Sequence, residues 1–506
     1  MIIFGTNVHS RHLPLWFLTF AIPAIPFIQE SYPVFSTSLT VRLLTMGCMF
    51  LYIVLSIPEL YRTVELKIST KVLALVIAFI IISGLSTLLS DIPWQGSVRW
   101  AEVSTCLVSG IILYHQLSKT PVFKDILAFS LMISMSLIIL FYLFSWITVY
   151  DPVNHNWVSN IPFATNIRHI GYIAAITLPL AFTHIDNQDI RKRLFTLFYL
   201  TCSWGFVFWM GGRATFLAVT IVTLVFFWLR PKLILISMTT IIAGLFLSQI
   251  FSVSAPELNL IHLLDYDITE QTLNQVSSNR ITMYEQVLIR WWNGAPLLGL
   301  GSDAYRYLRP AILDDNFVQP HSVILQVTLS YGLVGLLIFL ALSLKMLNGW
   351  LKTIQSHPIP GLPLAALSAS MVALVDGVFY HSISLLYASI VLTLTIPATS
   401  AKVRPLGLLF TLSSQLPLAI FFYAILSIQI YAAATPPSEQ KIKFIRQQPV
   451  YVNPSLWISL TSMKNKAQTV EYARLAVKYS ENPCFYILYL PLSEQAPFEW
   501  CAQKGP

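Results

Sequence analysis

Apolar runs of about twenty residues recur along almost the whole chain, each long enough to carry a helix through the roughly 30 Å hydrocarbon core of a bilayer. About thirteen such runs are separated by charge, proline or asparagine, at 13–29, 39–58, 72–90, 101–117, 124–149, 169–185, 194–211, 214–229, 233–252, 321–344, 361–380, 382–399 and 405–433. With 56% hydrophobic and 11% charged residues in 506, and a mean hydropathy of +0.67, a soluble globule is excluded. The sequence predicts an all-α polytopic membrane protein of about 12–13 transmembrane helices. The first run follows Arg11 and His12 but lacks a small-residue cleavage site, so it is expected to be a retained span and not a secretion signal.

Four regions follow from the pattern: helices 1–9 over 1–252, a large loop over 253–320, helices 10–13 over 321–433 and a small soluble region over 434–506. Basic residues collect in alternate short connections, among them Arg62 with Lys67, Arg191 to Arg193, and Lys402 with Arg404, which places the N-terminus inside and the C-terminus outside. The opposite connections hold single arginines at a predicted membrane boundary: Arg99, Arg168 and Arg213. A guanidinium there needs water, a lipid headgroup or an anionic partner. Several on one face suit a phosphate or diphosphate. The net charge of +8 is accounted for by anionic lipid and gives no reason to expect nucleic acid.

Several segments then stand out. Asn166-Ile167-Arg168-His169 opens a span, with Asn166 available as a helix cap. Gly211-Gly212-Arg213 joins two spans with almost no loop. In the large loop, 280–292 has apolar positions at helical spacing, and Trp291 and Trp292 suit interfacial anchors of an amphipathic helix. Gln319-Pro320-His321-Ser322 ends the loop, with His321 expected in the entry turn of the next span, where an imidazole suits proton transfer or a simple cap. Asp376 lies within an apolar stretch and calls for an ion-pair partner, with His381 on the same side.

The tail contains one helical pattern over 467–479 and two cysteines, Cys484 and Cys501, which could pair in an oxidising compartment. No Walker A loop, GxGxxG turn, HExxH or zinc-type Cys/His spacing is present, so no cofactor and no metal are expected.

His321, Ser322, nine further residues, Gly332 and Gly335 form an H-S-x9-G-x-x-G pattern that resembles the signature of the O-antigen ligase family of bacterial membrane glycosyltransferases, which includes protein O-oligosaccharyltransferases and is related to O-antigen polymerases. Arg213 to Leu217 is similar to a second motif of that family, and Arg280 through Gly299 to a third. The resemblance implies metal-independent, inverting transfer of a glycan from undecaprenyl diphosphate to an acceptor hydroxyl at the periplasmic face of the inner membrane. By position, Arg213 and Arg280 would hold the diphosphate and His321 would act as base. Arg99, Arg168, His169, Ser322, Asp376 and His381 are added by placement as substrate-binding residues. Ligation to lipid A core is the first reading and protein (pilin-type) glycosylation the alternative. A polymerase or a lipid-linked glycan transporter are further alternatives, although the singled-out charges lie at one surface and no internal repeat points to a transporter.

Overall fold

A backbone in lipid must satisfy its own N–H and C=O groups, so apolar runs of this length become helices. The computed structural model describes residues 2–3, 6–7, 12–31, 38–61, 68–91, 93–158, 162–164, 166–251, 280–308, 319–353 and 360–396. Among these are fourteen α-helices, and the one strand pairing is the two-residue contact of Ile2–Ile3 with Thr6–Asn7. The fold is that of an all-α polytopic membrane protein. Five helices are long and apolar enough to cross a membrane, and five shorter apolar helices accompany them.

In chain order the helices are α1 (Leu13–Ser31), α2 (Ser38–Tyr61), α3 (Thr70–Leu88), α4 (Pro93–Lys119), α5 (Val122–Thr148), α6 (Ile167–Thr177), α7 (Ile190–Met210), α8 (Arg213–Leu229), α9 (Ile234–Ile250), α10 (Arg280–Gly294), α11 (Ala304–Leu308), α12 (Val323–Thr353), α13 (Gly361–Val375) and α14 (Ser382–Leu394). A 3-10 turn, Leu178–Thr183, extends α6. Helix α5 is the most enclosed of the long apolar helices, and α9 is peripheral, lying mainly against α7. That contact is a small-residue crossing, where a Cβ on Gly244 would stand 2.7 Å from Trp204 Cβ and 2.8 Å from Gly205 N. Helices α6, α8, α13 and α14 pack together, and α4 packs on α2, α3 and α14.

Three boundaries differ from the hydropathy reading, each for a polar reason. Helix α4 begins at Pro93 and not near 101, because Arg99 and Glu102 neutralise one another inside it. Helix α13 ends at Val375, so Asp376 to Tyr380 form a loop and not the last turn of a span. Helix α12 begins at Val323, which leaves His321 outside the helix and not in its entry turn. The expected span 405–433, the helical pattern at 467–479 and both tail cysteines lie outside the described residues.

Helix α12 is also broken. Gly332 has φ 63° and ψ −165°, which interrupts the helical ladder. The freed groups find partners in the segment after α10: Leu300 N donates to Leu329 O at 2.8 Å and Gly301 N to Ser330 O at 2.9 Å, while Leu333 N donates to Pro296 O at 2.9 Å and Val334 N to Leu297 O at 3.2 Å. A Cβ on Gly332 would lie 2.3 Å from Leu297 O, and one on Gly299, itself at φ 77°, 2.5 Å from Gly332 N. The two glycines interlock.

Candidate active site

The loop after α13 and the segment before α12 meet at Asp376. Its Oδ1 accepts from Tyr172 Oη on α6 at 2.6 Å and from the backbone N–H of Gly377 at 2.9 Å, and it lies 2.7 Å from His321 Nδ1. Its Oδ2 accepts from Arg280 Nη2 at 3.4 Å, while Arg280 Nη1 donates to Val375 O at 2.6 Å. Arg280 opens α10 and so caps the C-terminal end of α13, where carbonyls and the helix dipole favour a cation. Burial alone would raise the Asp376 carboxyl, but the His321 bond and the charges around it hold it well below the usual carboxylate range.

An ionised carboxylate only accepts hydrogen bonds, so His321 Nδ1 carries a proton toward Asp376 and the lone pair of the neutral ring is on Nε2. The arrangement fixes the tautomer that an imidazole needs to accept a proton at Nε2, and sets an anion beside the imidazolium that would result. His321 reaches this position through a left-handed backbone, φ 46°, rare for a residue with a side chain. Its carbonyl accepts from Tyr284 Oη on α10 at 3.3 Å.

A second layer lies beside this pair. His381 precedes α14, and its ring lies against that of His169, tilted by 33° with centroids 3.6 Å apart. Gln319 Nε2 is 3.2 Å from His381 Nε2. An amide NH2 only donates, so His381 accepts there. Burial, with His169 and His321 nearby, holds the His381 imidazole well below its ordinary value. Gln319 occupies the space a side chain on Gly377 would need, since a Cβ there would fall 1.7 Å from Gln319 Nε2. Ser322 is buried, and its carbonyl takes the N–H of Gln326 at 2.9 Å in the first turn of α12.

The arginines divide. Arg213 is exposed at the start of α8, after Gly211 turns the chain with φ 64°. That turn packs on α6, where a Cβ on Gly171 would lie 2.7 Å from Met210 Sδ, so Arg213 stands at the end of α6 that carries His169 and Tyr172. Arg168 is exposed on the same end, and its N–H is capped by Asn166 Oδ1 at 2.9 Å. Arg99 departs from the expectation that it faces substrate. It is 3% exposed and bonded inward to Glu102 and to the carbonyls of Phe379 and Tyr380. It belongs to a network in which Arg42 reaches Asp303 Oδ2 at 2.5 Å and Glu102 at 3.5 Å.

Sequence reasoning passed over Tyr172, Gln319, Arg42 and Asp303. Arg42 carried a signal, a charge inside an apolar run, and Tyr172 follows His169 by three residues on the same helical face. Gln319 and Asp303 carried none that a single sequence displays. Among the described residues no three His, Cys, Asp or Glu side chains are disposed to hold a metal ion.

One end of this bundle of membrane helices thus holds an imidazole, a carboxylate bound to it and nearby guanidinium groups. Residues 198–340 match the model of the O-antigen ligase family, and this segment contains Arg213, Arg280, His321, Gly332 and Gly335. Over this segment the chain is similar to the O-antigen ligases. A search of curated proteins finds no match to it.

Proposed function

We propose that the protein transfers a glycan from undecaprenyl diphosphate to an acceptor hydroxyl at the periplasmic face of the bacterial inner membrane, with lipid A core as the acceptor. The observation that carries this reading is His321 Nδ1 at 2.7 Å from the Asp376 carboxylate, which also binds Arg280, with Arg280 and His321 both in the segment that matches the ligase family.

In this reading His321 Nε2 takes the acceptor's hydroxyl proton while Asp376 stabilises the imidazolium. The acceptor oxygen attacks the anomeric carbon, and the bond from that carbon to the diphosphate oxygen breaks on the opposite face, which inverts the centre. The negative charge left on the diphosphate is met by Arg280 and Arg213, with Arg168 at the same end of α6. His169, His381 and Ser322 would line the acceptor side.

The test is transfer by purified protein from an undecaprenyl diphosphate glycan to lipid A core and to a pilin-like peptide, offered in parallel. Product on the core, abolished in His321→Ala, is the expected result. Product on the peptide alone moves the acceptor to protein, and a fully active His321→Ala sinks the mechanism.

A further inference from the structure

The loop that carries both Asp376 and His381 is held from a direction that takes no part in the chemistry. Within it, Tyr380 N and His381 N both donate to Gly377 O, at 2.8 and 3.2 Å, Gly377 N donates to Asp376 Oδ1, and Ser384 Oγ donates to Val378 O at 2.6 Å and His381 O at 3.0 Å. Two carbonyls, those of Phe379 and Tyr380, turn toward α4 and are taken by one guanidinium, Arg99. Glu102, one turn further along α4, binds the same Arg99 and lies 3.5 Å from Arg42 Nε. Arg42 extends the frame to Asp303, and the Tyr380 ring lies between the cations, 5.0 Å from Arg42 Cζ and 5.1 Å from Arg99 Cζ.

Two guanidinium groups and two carboxylates balance in charge, and no member has more than 4% of its side chain exposed. The frame is anchored twice more. The Gly96 turn of α4 sits against the Ser302 backbone, where a Cβ would fall 2.6 Å from Ser302 O, and Ser302 Oγ accepts from Thr87 Oγ1 at 2.9 Å. A guanidinium committed to two carbonyls and a carboxylate in such a frame cannot also meet a diphosphate.

We propose that Arg99 is a positioning residue, whose guanidinium holds the Asp376–His381 loop by the Phe379 and Tyr380 carbonyls and thereby sets where Asp376 meets His321. This rests on the reading of His321 and Asp376 as the active pair. Lysine keeps the charge beside Glu102 but lacks the planar fork that spans both carbonyls.

The experiment compares full-length wild type, Arg99→Lys and Tyr380→Leu in nanodiscs by amide hydrogen exchange over 376–381, alongside binding of undecaprenyl diphosphate and transfer kinetics. In Arg99→Lys the loop amides exchange about tenfold faster, the size expected for loss of a hydrogen bond to a charged donor. The kcat for transfer falls about tenfold or more with the donor KM little changed, the pattern of an interaction lost only in the transition state. Tyr380→Leu leaves every charge in place and removes the phenol ring, so it raises loop exchange about fivefold, near the lower end for two cation–π contacts. Loop exchange unchanged in both variants overturns the proposal, and lost diphosphate binding with it returns Arg99 to the substrate. Wild-type protein that binds no undecaprenyl diphosphate removes the donor assigned above, while the exchange comparison still decides the role of Arg99.

Discussion

Two arginine–carboxylate clusters share one end of the bundle and one loop, and they are built to opposite ends. In the Arg42–Glu102–Arg99–Asp303 network every charge meets an opposite charge inside protein, with side chains between 1% and 4% exposed. In the Arg280–Asp376–His321 cluster the carboxylate is enclosed, but Arg280 and His321 remain 21% and 13% exposed, and one partner is a group that can gain or lose a proton. Closure makes the first a frame. Partial opening leaves the second able to meet a substrate, at the cost of an unusual backbone at His321.

The comparison breaks most readily at its open side. Asp376→Asn removes the anion that orients and stabilises His321, and kcat for transfer is expected to fall about 10^3- to 10^4-fold, as when the carboxylate of a comparable triad is amidated. The same variant is expected to lose less stability in detergent than a break in the enclosed network, because Arg280 keeps access to water.

Glu102→Gln should do the reverse. It leaves two buried guanidinium groups with one carboxylate, and breaking such a set costs about 3–5 kcal/mol of stability. Thermal unfolding in the same detergent checks it. Equal losses of stability in the two variants would erase the distinction between frame and site.

Gly332→Ala tests the interlock that links α10 to α12. A left-handed φ disfavoured by about 1–2 kcal/mol, and a Cβ forced onto Leu297 O, together predict a loss of about 2–4 kcal/mol. Thermal unfolding measures the loss, and an unchanged melting temperature would mean that the glycine is not required there.

The smallest effect is on pH. His381 has its folded-state value depressed below the ordinary 6.5, so the unfolded chain binds a proton first as pH falls. Its contribution is fully present above 6.5 and is lost as pH drops through that value toward the folded one. Asp376, depressed from 3.8, adds a second loss that begins below 3.8. Unfolding temperature against pH should decline in two stages, and His381→Gln should shrink the first, to which His169, also held down by burial to about 4, contributes.

Hydropathy made the spans legible because lipid leaves the backbone no alternative to a helix. Its errors fell where polar groups were satisfied out of its sight. Arg99 and Glu102 cancel inside α4, and the break at Gly332 is repaired by a loop some thirty residues earlier, counted along the chain. At the site, His321 and Asp376 could be singled out because charges and imidazoles at a membrane boundary demand partners, and Arg280 because its segment is similar to a family motif. Gln319 could not, because an amide is unremarkable until the fold sets it over Gly377, and Tyr172 carried only its place one turn after His169 until the fold set its phenol on Asp376. Arg99 drew attention for the right reason, an arginine at a boundary, and the fold supplied it with protein in place of ligand.

The broken ladder of α12 also says something about how the chain is made. Leu329 O, Ser330 O, Leu333 N and Val334 N would meet hydrocarbon unsatisfied if the helix entered the membrane by itself. Their partners, Pro296 to Gly301, come earlier in the sequence and so leave the ribosome first. Synthesis therefore delivers the template before the segment that needs it, and the order of the polypeptide doubles as the order of assembly.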